Sequence, residues 1–317
     1  ASKGSAIGCA KTLPLAEFDK AVAAAVAAAK EGDIIYVAAG TYADEVTVSS
    51  TNVQIIGPNY GIKGTGVRNT EASISGNINV SANGVVIDGV KLTGAAILYL
   101  SALDGCTIQN VYSNSTGMAS SIAENGNRKS VIYSLGDTKN VSIKDSYFEV
   151  GSSVYCKNVI TFYFTSTNLT VTGNYFTHTY AGATVCEVIT VTEVAGTVDF
   201  SDDELRYPTG NFAIMFGAYS NSANIVISNN IIAGKDTYGT AGIYVRNGAK
   251  DTTINIEHNY IYGMAGNCLD FKNIRSISDV VYQNPGGFVG TNSNLFHSGT
   301  STTKEKELAK RISEWLK

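Results

Sequence analysis

The chain is poor in most of the features that announce chemistry directly. Its 317 residues contain no apolar run near the ~18 needed to span a bilayer, so no membrane insertion is expected. The five cysteines have no metal-ligand spacing, which excludes a zinc finger or ribbon. Charged residues make up 16% of the chain, and a net charge of −4 with pI near 5.5 gives no electrostatic reason to bind nucleic acid. The three histidines, His178, His258 and His297, lie far apart, and no serine and acid are marked to converge on any of them.

What is present is a repeat. The segments NVQIIG, GVVIDGVKL, GCTIQNVYS, NVSIKDSYF, NLTVTGNYF, TVDFSDDEL, NIVISNNII, TINIEHNYI and FVGTNSNLF align on Val53, Val85, Cys106, Val141, Leu169, Val198, Ile225, Ile254 and Val289. Successive anchors are 21 to 35 residues apart. Each unit reads apolar-x-apolar, then a few small or polar residues, then often an aromatic or β-branched pair. Such a period means that each unit buries its apolar face by stacking on its neighbours. The runs are short, alternate with period two and end in Gly, Asn, Asp or Ser, so they are strands. The expected fold is therefore all-β, a right-handed single-stranded parallel β-helix over residues 1–300 with an N-terminal capping helix at 15–31. A short amphipathic helix over 301–317 follows, with Leu308, Ile312, Trp315 and Leu316 in one stripe. The terminal helices would cover the open sheet ends, or serve self-association.

One column of the alignment holds Asn174, Asn230, Asn259 and Asn294, with Ser146 and Asp203 between, as expected of a ladder of stacked amides. Two stretches break the period. Residues 57–76 are Gly-rich and lengthen an early turn, and residues 201–211 concentrate acids and are expected to leave the repeat as a loop. Cys106 falls on a core anchor. Cys156 and Cys186 lie 30 residues apart before matching strands, which places them near disulfide range on adjacent layers.

The coils resemble the pectate lyase-like right-handed parallel β-helix superfamily over roughly residues 15–300. FDKAVAAAVAAAKEGDIIYVAAGTYADEVTV is similar to the cap and first coil of its secreted members, and GPNYGIKGTGVRNTEASISG to a segment of bacterial adhesin-like members. The resemblance implies a fold shared by lyases, hydrolases, esterases, tailspikes and non-catalytic adhesins. The Gly-His-Gly and Arg-x-Lys patterns of polygalacturonase-type hydrolases are absent.

A further strand in each unit gives a candidate site. Aligning VIYSL, VITFYF, VITVTE, AIMFGAY, GIYVRNG and CLDFKNI on an inward residue points Tyr133, Thr161, Thr190, Met215, Tyr244 and Asp270 outward in one column. Leu135, Tyr163, Thr192, Gly217, Arg246 and Lys272 form the next. Tyr133, Tyr163 and Tyr244 are aromatic faces suited to pyranose rings, and Arg246 can fork onto a uronate carboxylate. In a lyase, Arg246, Lys272 and Asp270 would carry the chemistry. Asp202, Asp203 and Glu204 offer oxygens of the kind calcium takes, the one cofactor the sequence calls to mind. Low charge, abundant Ser, Thr, Asn and Gly, and 18 Tyr suit an extracellular or cell-surface setting. The expected function is a polysaccharide-binding, adhesin-like module acting on a neutral or acidic glycan without cleaving it. A uronate lyase and a fibre or tailspike-like subunit are the alternatives.

Overall fold

The computed structural model of the protein describes residues 15–115, 130–150, 158–178, 187–206, 212–218, 223–234, 241–247, 253–264, 267–271, 280–282 and 295–298. The described chain opens with the helix Leu15–Ala28. Its alanine content favours the helical state, and Val22 and Val26, one turn apart, are buried on the same face. The helix packs on the second and third strands that follow it, Gly40–Tyr42 and Val46–Val48. The helix stops before Gly32, whose φ of +77° turns the chain into the first strand, Ile34–Tyr36.

Every strand pairing among the described residues is parallel, and each joins a strand to its counterpart one repeat away. Three columns result. In the anchor column, Val85 pairs with Cys106 and Cys106 with Val141. Thr170 pairs with Asp199, Val198 with Ile225, and Ile225 with Ile254. The next column is aromatic: Tyr112 pairs with Tyr147, Tyr147 with Tyr175, and Tyr175 with Glu204. In the third column Tyr133 pairs with Thr161, Thr161 with Thr190, Thr190 with Met215, Met215 with Tyr244, and Tyr244 with Asp270. That is the register read from the sequence.

Alternation explains the packing. In Val46–Val48 the two valines are buried and Thr47 is exposed. The same rule buries Ile243 and Val245 on either side of Tyr244. Inward residues of all three columns join one continuous apolar core reaching from Val22 in the helix to Ile261. Inside it, Phe148 and Phe176 stack face to face with centroids 5.3 Å apart. Cys106 is buried there, and burial pushes its thiol up to about 12, so it is inert. No helix among the described residues is long and apolar enough to cross a membrane.

Two expectations need correction. The anchor that follows Ile254 and pairs with it is Val280; Val289 lies outside the described residues. Residues 201–206 do not leave the repeat. Ser201 ends the strand Glu187–Ser201, Asp202 and Asp203 make the usual corner, and Glu204–Arg206 pairs with Tyr175–Thr177. The acids there are corner residues, and their density mimics a loop. The helix expected at 301–317, Cys156 and Cys186 lie outside the described residues.

Removing a fully buried stacked ring should cost far more than trimming an outward residue of a strand. Phe176→Ala is expected to lower unfolding stability by ~3–5 kcal/mol, and Thr47→Ala by no more than ~0.5 kcal/mol. Urea denaturation measures both, and equal losses would contradict the inward-outward assignment.

Candidate functional site

The corner between the anchor and aromatic columns is built by a repeated device. Asp145, Gly173, Asp202, Asn229 and His258 all sit in the left-handed region, with φ between +50° and +68°. Asn, Asp and Gly tolerate that conformation best, which explains the residue types and gives His258 a structural role. The next residue in each repeat turns inward and joins a ladder. The Val111 N–H donates to Ser146 Oγ at 3.1 Å, and the Ser146 N–H to Asn174 Oδ1 at 3.0 Å. The Asn174 N–H donates to Asp203 Oδ1 at 2.8 Å, and the Asp203 N–H to Asn230 Oδ1 at 2.9 Å. The Asn230 N–H donates to Asn259 Oδ1 at 3.0 Å. Each side chain thus satisfies a buried backbone donor that the corner would otherwise orphan.

Residues 57–71 leave the repeat at this same corner, between Gln54–Ile56 and Ala72–Ile74, and fold back along the wall of the following layers. Close backbone approach requires glycine: a Cβ on Gly57 would strike the Gly89 carbonyl, and one on Gly64 the Tyr147 amide. The Gly64 N–H donates to the Asp145 carbonyl at 2.8 Å, and Lys63 pairs with Asp145 at 2.8 Å. Arg68 is the main clasp. Its Nε and Nη2 bind the Glu71 carboxylate, Nη1 donates to the Ile62 and Asn110 carbonyls, and Nη2 also reaches the Val90 carbonyl. All five guanidinium protons are therefore used, so Arg68 holds the excursion and has none left for a ligand. Asn59 and Asp88, both buried, fix its base: Asn59 binds Asn69 and Glu71, and Asp88 accepts from the Gly61 N–H.

Between the excursion and the wall lie two adjoining clefts. The smaller, about 370 Å³, is lined by residues 64–66, Arg68, Glu71, Lys91, Tyr112 and Tyr147. The larger, about 760 Å³, runs from Lys63 and Asp145 past Thr172 and Tyr175 to Asp202, Asp203 and Glu204. One outward row in strict register borders both: Lys91, Tyr112 and Tyr147 line the smaller cleft and Tyr175 the larger. The three phenols stack with centroids 5.1 Å apart at both steps and rings 4° from parallel. Lys91 Nζ lies 5.2 Å from the centroid of Tyr112 and makes no ion pair among the described residues. Burial, and next to it Glu149, raise the Tyr112 and Tyr147 hydroxyls, Tyr147 to about 12. Both phenols stay protonated across the physiological range; the Tyr112 hydroxyl donates to Glu149 Oε2 at 3.4 Å, and the Tyr147 ring lines the smaller cleft. The signal for this row was present in the sequence as the Tyr-Phe pair at 147–148 and again at 175–176, where the tyrosine faces out and the phenylalanine in.

The sequence-derived site residues fare unevenly. Tyr133 occupies its expected column but is 3% exposed, set edge-on to Tyr99 in a small buried cluster with Ile97, so it offers no face to a ligand. Thr161 and Thr190 beside it are buried as well and hydrogen-bonded to Asn158. Tyr163 is exposed and packs edge-on against Phe164. Tyr244 stacks on Phe212 with centroids 4.2 Å apart. Arg246 and Asp270 fall on described strands, Ala241–Asn247 and Asn267–Phe271, but their side chains lie outside the described part, as does all of Lys272.

Asp202, Asp203 and Glu204 do not form a calcium site. Three successive residues at a corner point three ways: Asp202 outward, Asp203 into the ladder, and Glu204 along the wall to pair with Arg206. Among the described residues no group of three His, Cys, Asp or Glu is placed to hold a metal ion. Burial pushes the Asp203 carboxyl well above the usual carboxylate range; hydrogen bonds from Asn174 pull it down, and Asp202 and Asp199 push it up.

The clasp reading makes a prediction. Arg68→Ala should free residues 57–71, seen as faster amide hydrogen exchange across that stretch. Arg68→Lys should rescue little, because one ammonium cannot replace a planar fork of five donors. Unchanged exchange in both variants would show that the excursion is held by other contacts.

No family model matches the chain, and no solved structure matches it. A curated protein described as "Cell wall hydrolase CwlJ", from Oceanobacillus iheyensis, is 47% identical over 45 residues. The shared stretch is 14% of this chain and spans 31% of that protein's length.

Proposed function

We propose that the stacked layers form a right-handed parallel β-helix and that this solenoid is an exported, cell-surface module that binds polysaccharide without cleaving it. The handedness follows from the strong preference of parallel strand crossovers for the right-handed path. The row Lys91, Tyr112, Tyr147, Tyr175 beside the clefts carries the functional reading. It sets one phenol on each of three successive layers at a 5.1 Å ring spacing, close to the length of one pyranose unit. Ring edges give apolar contact, hydroxyls give donors, and the Lys91 ammonium gives a single positive end suited to an acidic sugar. The clefts lie between two fixed walls, because Arg68 and the glycine contacts hold the excursion in place, so little ordering cost accompanies binding. The 45-residue likeness to a protein named as a cell wall hydrolase supports a cell-wall setting. It leaves hydrolysis to that protein, most of whose length is not shared.

A uronate lyase using Arg246, Lys272 and Asp270, with or without calcium, is the competing reading, and one experiment separates the two. The protein is applied to an array of neutral and acidic glycans and, in parallel, incubated with uronans while ultraviolet absorbance of unsaturated products is followed. Binding should weaken at least about tenfold in Tyr147→Ala, the ~1.4 kcal/mol expected for an aromatic contact and its hydroxyl. Arg246→Ala should bind as wild type, and no unsaturated product should form. Binding that survives Tyr147→Ala but is lost in Arg246→Ala would move the site to the third column, and product formation would establish the lyase.

A further inference from the structure

The ladder contains one member of the wrong chemical type. At Asn174, Asn230 and Asn259 the side-chain amide works in two directions. Its oxygen accepts the backbone N–H of the preceding layer, and its nitrogen donates to a carbonyl of that same layer. Asn174 Nδ2 donates to the Ile143 carbonyl at 2.9 Å, Asn230 Nδ2 to the Phe200 carbonyl at 2.9 Å, and Asn259 Nδ2 to the Ile227 carbonyl at 2.8 Å. Those acceptors belong to one column, in which Ile143 pairs with Val171, Val171 with Phe200, and Phe200 with Ile227. Asp203 stands at the same position in the layer of Phe200. Its Oδ1 does the accepting half of the task, taking the Asn174 N–H at 2.8 Å and Asn174 Nδ2 at 3.0 Å. Its Oδ2 is buried and has no hydrogen-bond partner, on a residue only 2% exposed. The column assigns that atom an acceptor, the Val171 carbonyl, and a carboxylate oxygen cannot donate.

We propose that Asp203 stands in the ladder as a neutral carboxylic acid whose Oδ2–H donates to the Val171 carbonyl, so that this corner is complete only when protonated. A protonated carboxyl has the size of the asparagine amide and both of its hydrogen-bonding senses. An ionised one would leave two oxygens facing each other in the core with no proton between them, at the cost of an unpaired buried charge. The surroundings favour the neutral form. Asp202 and Asp199 lie close by, and Glu204 is already paired with Arg206. Across the larger cleft the lining cation, Lys63, is paired with Asp145, and Tyr175 contributes a phenol ring. Asn174 and Asn230, above and below, carry no charge, and His258 lies two layers further on.

The sign of the pH effect follows from linkage. A carboxyl whose folded pKa lies above its unfolded value stabilises the fold fully below the unfolded value. That contribution is lost as pH rises from about 4 through the folded pKa. The test is urea unfolding of the full chain against pH, together with the infrared carbonyl band of a protonated carboxylic acid at neutral pH. Wild type should lose midpoint steadily as pH rises across that window and should show the band. Asp203→Asn should remove both the band and this part of the pH dependence, and should match or exceed wild type at the upper end of the window. Asp203→Ser, which copies Ser146 of the same column, should also abolish the band and the slope if the asparagine variant folds poorly. A wild-type chain without the band, or variants that keep the wild-type slope, would overturn the proposal.

Discussion

The constraint on which everything else rests is the corner between the anchor and aromatic columns. Parallel strands stacked in layers satisfy their backbone groups along the straight segments, but each corner turns the chain inward and strands an amide. Here the stranded amide of one layer is taken by the side chain of the next, from Val111 through Ser146, Asn174, Asp203 and Asn230 to Asn259. The requirement fixes two residues per corner: one that accepts a left-handed backbone, and one small and polar enough to point into the core. With those two set, the register of the flanking strands follows. A slip by one residue would expose every inward valine and isoleucine.

The same corner decides where a binding surface can form. An excursion leaving a corner stays beside the corners of later layers, because the stack presents the same geometry again each time. Residues 57–71 use that repetition. Gly57 meets Gly89, Arg68 meets Asn110, and Gly64 meets Asp145 and Tyr147, so the segment climbs three layers from where it started. It lies beside an outward row in which identical aromatic residues stack, Tyr112, Tyr147 and Tyr175. Packing thus places an aromatic wall opposite a clasped segment, and the proposed binding rests on that pairing.

Much of the fold could be read from the residues. The apolar-x-apolar anchors, the outward column Tyr133 to Asp270 and the asparagine column are local patterns, set by alternation and backbone preference. The reading failed where several layers act together. Tyr133 alternates outward correctly, but its burial depends on Tyr99 and Ile97 one layer away. Asp202, Asp203 and Glu204 look like a cluster because they are adjacent. The asparagine column already put the middle one in the ladder; the structure sends the other two to separate surfaces. The clasp was invisible for the same reason: nothing in the sequence joins Arg68 to its five acceptors, one of them 42 residues away. The Tyr-Phe pair was visible as a pattern, but its two faces acquire different meanings only once inside and outside are fixed.

The central claim is that successive repeats are parallel layers in strict register, and spin-label distances measure it directly. Thr107 pairs with Ser142, Ser142 with Thr170, Thr170 with Asp199 and Asp199 with Val226, which puts Val226 four layers above Thr107 in one column. Labels at these two positions should give a narrow distance distribution centred near ~19 Å, four steps of the ~4.8 Å strand spacing. A broad distribution, or a centre displaced by more than one such step, would contradict the layered account.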